Sequence, residues 1–147
     1  MKRVFFSLIF FFFLILIQTS FFVHFTSSFN LILLFLIIFL FFGKGKYDYI
    51  IGLIAGIYLD IFSSFFFGIY ILVCLLIVFL IRKLKSILDQ GVPSYLMISL
   101  FILVLYELIF LFLGDRFYIM GLIYNFLFLV LWLGIKYIYD FIKEAIT

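Results

Sequence analysis

Two acidic side chains stand inside long apolar runs of this chain, and they are its best candidates for chemistry. Asp60 lies in "GLIAGIYLDIFSSFFFG", Gly52 to Gly68, and Glu107 in "MISLFILVLYELIFLFL". A carboxylate in an apolar medium costs roughly 2.5–3.5 kcal/mol or more, so each needs a partner, a cavity or a wet edge. For Glu107, past the middle of its run, the available partners are Asn125, Gln18, Tyr106 and Tyr124, and depth alone suggests a Glu107–Asn125 contact. Structural glue is the plainer role for this pair of intramembrane polar residues, a proton relay the sharper one. For Asp60 the plain reading is an edge position, half hydrated, capping a turn at Ser63 and Ser64.

The surroundings of Asp60 carry a further pattern. Gly52, Gly56 and Asp60 are spaced four apart, so on a helix they fall within about 80° of one another. That makes a narrow stripe of two positions without side chains followed by a carboxylate. Small residues four apart let another helix come close in a membrane. The other helix is either one of the chain's own or a partner's, and the spacing is neutral between the two. Gly68 follows the polar turn.

Other reactive arrangements are missing from the sequence. His24 is the lone histidine, and no His, Cys, Asp and Glu grouping has metal-ligand spacing. No serine pairs with a nearby base, and no glycine-rich phosphate loop leads into a helix. The single cysteine, Cys74, lies in an apolar run and allows no internal disulfide. Neither a catalytic set nor a cofactor site is therefore expected.

The elements that must position these residues follow from composition. The 147 residues are 70% hydrophobic and 12% charged, with 26 phenylalanines and a mean hydropathy of +1.51. A soluble domain has roughly half its residues apolar and about a quarter charged. An all-α integral membrane protein is expected, one polytopic domain over residues 1–147. The apolar runs give about six spans, starting near Val4, Phe29, Tyr47, Phe66, Tyr95 and Phe117, and ending near Val23, Phe42, Phe62, Ile81, Leu113 and Ile135. Spans two to four, at roughly 14–16 residues, fall below the usual ~20 and leave room for a shallow or re-entrant element. "RKLKSILDQGVPS" reads as the one real loop. The first run resembles a secretory signal, but it continues through Val23 without a small-x-small cleavage site and is expected to remain as a helix.

Charge placement tests the count. With a cytoplasmic N-terminus, Lys2, Arg3, Lys44, Lys46, Arg82, Lys83, Lys85, Lys136 and Lys143 fall on the inner side and only Arg116 outside. Nine of ten basic residues on one side satisfies the positive-inside rule and places both termini in the cytoplasm. The net charge of +3 is thus topology and no nucleic-acid footprint. Leu84, Ile87 and Leu88, among basic residues, form a stripe suited to anionic membrane lipid or to a cytoplasmic partner.

The passage "YDYIIGLIAGIYLDIFSSFFFGIYILVCLLIVFLIRKL" resembles the central signature of the rod shape-determining MreD family of bacteria. That family has glycines every four residues leading to an aspartate, a short small-residue turn, a glycine, and an apolar helix with a basic end. Gly52, Gly56, Asp60, Gly68 and Arg82–Lys83 fall on that pattern. Two prolines frequent in the family are replaced here, in "SSFNLI" and in "FFFG", and the specific match covers about a quarter of the chain. The resemblance implies a non-enzymatic, multi-pass subunit of the cell-elongation machinery in the bacterial inner membrane, organising lateral peptidoglycan synthesis. Its partners would be a bitopic MreC-like protein, with MreB and the RodA–transpeptidase pair nearby and self-association left open. The stripe Gly52, Gly56 and Asp60 would then seat a partner helix or line a cavity.

Two other classes compete. Substrate-binding subunits of energy-coupling-factor vitamin transporters have similar size and helix number, but a ligand cavity needs several converging polar groups, and Asp60, Glu107 and Asn125 are few. Lipoprotein signal peptidases use two outer-side aspartates. Asp60 and Asp115 could share a proton in that way, yet "GDRFYIMG" lacks that family's surrounding residues.

Overall fold

The apolar runs become six α-helices in the computed structural model, which describes residues 2–21, 30–43, 45, 47–62, 66–88, 91–114 and 119–146. They are α1 (Lys2–Phe21), α2 (Leu31–Phe42), α3 (Asp48–Phe62), α4 (Ile69–Ile87), α5 (Val92–Phe112) and α6 (Ile119–Ile146). No strand occurs among the described residues, so the chain is all-α as its composition demands. Two of these helices, Val92–Phe112 and the Ile119–Asp140 part of α6, are long and apolar enough to cross a membrane.

Two expectations are corrected. The loop read into "RKLKSILDQGVPS" is shorter than expected, because α4 carries its helix through the basic segment to Ile87 and α5 starts at Val92. Pro93 sits in the first turn of α5, where its missing N–H leaves no helical bond unmade. The last helix also outruns its expected end near Ile135. A Lys136–Asp140 ion pair, one turn apart, bridges the stretch where the apolar run gives way to charge.

The helices form two compact units, Met1–Ile87 and Leu88–Thr147. In the first, α2 packs against α1, α3 and α4, and α3 pairs most extensively with α4. Nine of the 12 residues of α2 are buried, on every side of the helix, as expected of a segment apolar all round. Ring contacts fasten it to α1: Phe10 meets Phe35 edge-on at 5.1 Å and Phe39 at 5.8 Å, and Phe11 meets Phe39 at 6.0 Å. Such pairs add roughly 0.5–1.5 kcal/mol each beyond the area they bury.

In the second unit α5 packs on α6. Buried positions recur at helical spacing, Ile98, Ile102, Leu103, Glu107 and Phe110 on α5 and Gly121, Asn125, Leu129 and Leu133 on α6. Ser99, also buried, donates its hydroxyl to the Tyr95 carbonyl at 2.7 Å and so makes no demand on its neighbours.

Polarity is distributed against the habit of water-soluble folds. Asn30, Asp48, Asp60, Ser99, Glu107 and Asn125 are buried, whereas Phe66, Leu72, Met97, Phe112, Met120 and Leu131 each expose more than 60% of their surface.

Candidate functional site

The stripe of Gly52, Gly56 and Asp60 faces α4 of the same chain. A Cβ on Gly56 would lie 2.6 Å from Ile71 Cα and 3.1 Å from the Tyr70 carbonyl oxygen, a backbone contact that cannot move aside. At Gly52 it would meet Val78 Cγ2 at 2.5 Å, with the Cys74 carbonyl oxygen at 3.6 Å. Two helices in a membrane gain by such approach because dispersion, not hydrophobic burial, holds them together. Of the two readings open for these glycines, internal packing is the one the fold adopts, so they line no open groove for a partner.

Asp60 completes that contact. Its Oδ1 accepts from the backbone N–H of Tyr70 at 3.0 Å and its Oδ2 from that of Ile71 at 3.1 Å. Tyr70 and Ile71 are the second and third residues of α4, whose N–H groups have no partner within their own helix. The carboxylate therefore caps the next helix across the hairpin, and its charge complements the positive end of the α4 dipole. The half-hydrated edge position expected for Asp60 is corrected: the residue is 4% exposed, because both oxygens are drawn into the hairpin. Ser63 and Ser64, its expected turn partners, lie outside the described residues.

Gly68 serves the same hairpin differently. Its φ of +103° turns the chain just before α4 in a conformation that L side chains rarely adopt, and no neighbour lies within 4 Å of a Cβ placed there. It shapes the turn and does not extend the stripe.

The ends of α2 repeat the capping idea. Asn30 accepts from the Leu33 N–H at 3.0 Å, and Gln18 of α1 accepts from the Leu31 N–H at 3.1 Å. At the other end Lys85, from the last turn of α4, donates to the carbonyls of Leu40 at 2.9 Å and Phe41 at 2.8 Å. A cation on a helix C-terminus is favourable for the same reason an anion is at the start. By sequence Lys85 counts only as one of the inner-side basic residues, and this use of it escapes sequence reasoning because 45 residues separate it from Leu40. Asn30 was open to recognition as an N-cap residue just before an apolar run.

Arg82 and Lys83 remain exposed, and the Arg82 guanidinium lies 5.2 Å from the centre of the Tyr49 ring. In the other unit, Glu107 and Asn125 are both buried, on helices that pack together, and neither lacks an interaction. Of the other partners considered for Glu107, Gln18 is committed to Leu31, Tyr106 stacks obliquely on Phe110 at 4.8 Å, and Tyr124 is exposed.

Around Asp60 the described residues offer close packing and helix capping. Both oxygens of Asp60 are engaged by helix N–H donors, which sets it apart from a carboxylate poised to activate water; Asp115 and His24 lie outside the described residues. No group of three metal-ligating side chains occurs among the described residues. No protein-family model, curated protein or solved structure matches this chain.

Proposed function

We propose that the chain is a multi-pass protein of the bacterial inner membrane, with both termini cytoplasmic, and that it acts as a non-enzymatic subunit of the cell-elongation complex in the manner of the MreD family. The membrane part of this reading is supported by a surface of large apolar side chains around buried Asp60, Glu107 and Asn125. Lipid tolerates that surface, whereas its polar groups must be satisfied internally.

The observation that carries the functional part is the α3–α4 hairpin. Gly52, Gly56, Asp60 and Gly68, the residues on which the family resemblance rests, act there as one device: close approach, cap and turn. A pattern that works as one structural unit is a sounder basis for kinship than the same residues scattered. Partner contact then belongs to the outward faces of the helices, and the stripe supports it by holding the hairpin in shape.

The test is a mild-detergent pull-down of the tagged protein from its native host, with identification of the co-purifying chains. Recovery of an MreC-like bitopic protein with the RodA–transpeptidase pair is the expected outcome. Recovery of paired ATPases with a transmembrane coupling subunit would replace this reading with a vitamin-transporter subunit.

A further inference from the structure

We infer that the first unit is built for a hydrocarbon layer only about 20 Å thick, and that it draws in the lipid around its α3–α4 face from the ~30 Å of an ordinary bilayer. The inference rests on the membrane reading above and adds to it a lipid environment specific to this unit.

Three neighbouring helices agree on the length. The 12 residues of α2 reach about 18 Å. The exposed apolar face of α3 runs from Tyr49 to Phe62, about 21 Å at the helical rise. On α4 the exposed stripe Leu72, Leu76 and Phe79 stops at the exposed Arg82 and Lys83, so the apolar part of the helix from Ile69 to Ile81 covers about 20 Å, with the exposed Phe66 and Phe67 in the turn before it. In contrast, the 21 residues of α5 reach about 31 Å.

The usual escapes from mismatch are narrowed in this unit. Tilting relieves a helix that is too long and worsens one that is too short. Snorkelling lets a lysine lift its charge to the interface, and Arg82 and Lys83 can use it. Lys85 cannot, because its ammonium is tied to the Leu40 and Phe41 carbonyls at the end of α2. At the opposite end of α2 the polar groups of Gln18 and Asn30 are held just as firmly by the Leu31 and Leu33 N–H groups. Two polar layers are therefore fixed about 18 Å apart inside one folded unit. The apolar faces that α3 and α4 expose, each about 20 Å long, are matched to lipid when the bilayer beside them thins.

The experiment uses the full chain carrying Cys74→Ala, with single cysteines introduced at exposed positions, reconstituted in permeabilised dioleoylphosphatidylcholine vesicles and treated with a membrane-impermeant maleimide. Ile50→Cys and Phe62→Cys mark the two ends of α3, and Leu100→Cys and Leu108→Cys lie well inside α5. The expected result is that both α3 sites react on the order of tenfold faster than the α5 sites, with no further gain in short-chain dimyristoleoyl lipid, since the match is already made. Protection of either α3 site in dioleoyl lipid, relieved in the shorter lipid, overturns the inference and leaves the membrane reading standing. Fast reaction at all four sites, with release of the protein by alkaline carbonate, overturns both.

Discussion

The two units solve the problem of polar groups in an apolar molecule in different ways. In Met1–Ile87 the polar side chains sit at helix ends and satisfy the backbone of a neighbouring helix: Asp60 on α4, Gln18 and Lys85 on α2. In Leu88–Thr147 they sit within the helices, with Glu107 and Asn125 buried between turns whose own backbone is complete. A short helix has a larger share of unsatisfied N–H and C=O groups, four at each end, so shortness creates the demand that the first unit meets with caps. Long helices leave a smaller share of their backbone groups unsatisfied, so their polar side chains are less needed as caps.

This contrast is testable through Cys74, the single cysteine, fully buried on α4 beside Gly52. A thiol-reactive dye in detergent therefore reports opening of the first unit. The largest effect is expected for Gly56→Leu. Its Cβ alone would lie 2.6 Å from the backbone of Ile71, so α3 and α4 must separate. A cost of about 3 kcal/mol or more is expected, with early exposure of Cys74 on heating. Retention of the wild-type midpoint would show that the hairpin is not closely packed. In the pull-down, Gly56→Leu should also lower recovery of the partner while the protein still inserts.

Next comes Asp60→Ala, which strands two part-buried N–H groups of α4 and removes an anion from its positive end. A loss of about 2–4 kcal/mol is expected, with Asp60→Asn recovering part of it because an amide oxygen can still accept one bond. Equal loss in both variants would mean that charge, and not hydrogen bonding, makes the cap. A smaller effect, about 1–2 kcal/mol, is expected for Lys85→Met, which keeps the aliphatic stem but releases the carbonyls of Leu40 and Phe41. Dye access to Cys74 should rise in step with these losses, and a melt unchanged by Lys85→Met would remove the polar layer on which the thin-bilayer inference depends.

The existence of six helices was legible because apolar runs and punctuation are local signals, and α2 and α3 begin and end within two residues of their expected bounds. The long ends of α4 and α6 were not, since a basic segment reads equally as loop or as the last turns of a helix until something holds it. For α4 that something is the end of α2, met by Lys85. The glycine stripe was legible as a close-contact face, but small-residue spacing says how near a helix can come and never whose helix it is. Gly68 decides that locally, by turning α4 back onto α3. The double cap by Asp60 was hidden for a related reason: an acid near a helix end looks wet until the next helix start is known to cover it.

The smallest expected effect sharpens the comparison furthest, because it uses the same side chain in the other unit. Asp140, near the end of the apolar part of α6, pairs with Lys136 one turn away, and the two side chains are about half exposed at 49% and 36%. An exposed pair of this kind gains little over hydration and pays side-chain entropy, so Asp140→Asn should shift stability by about 0.5 kcal/mol or less, and by less still at high salt. Asp60→Asn, measured by far-UV circular dichroism in the same detergent, should cost several times more. Both replacements remove one negative charge, from the cap at the start of α4 in one case and from a half-exposed ion pair within α6 in the other, so the ratio compares a buried backbone cap with a surface pair. A ratio near one would mean that the hairpin cap contributes no more than a surface ion pair, and the distinction between a unit held by caps and a unit held by long packed helices would fail at its most direct point.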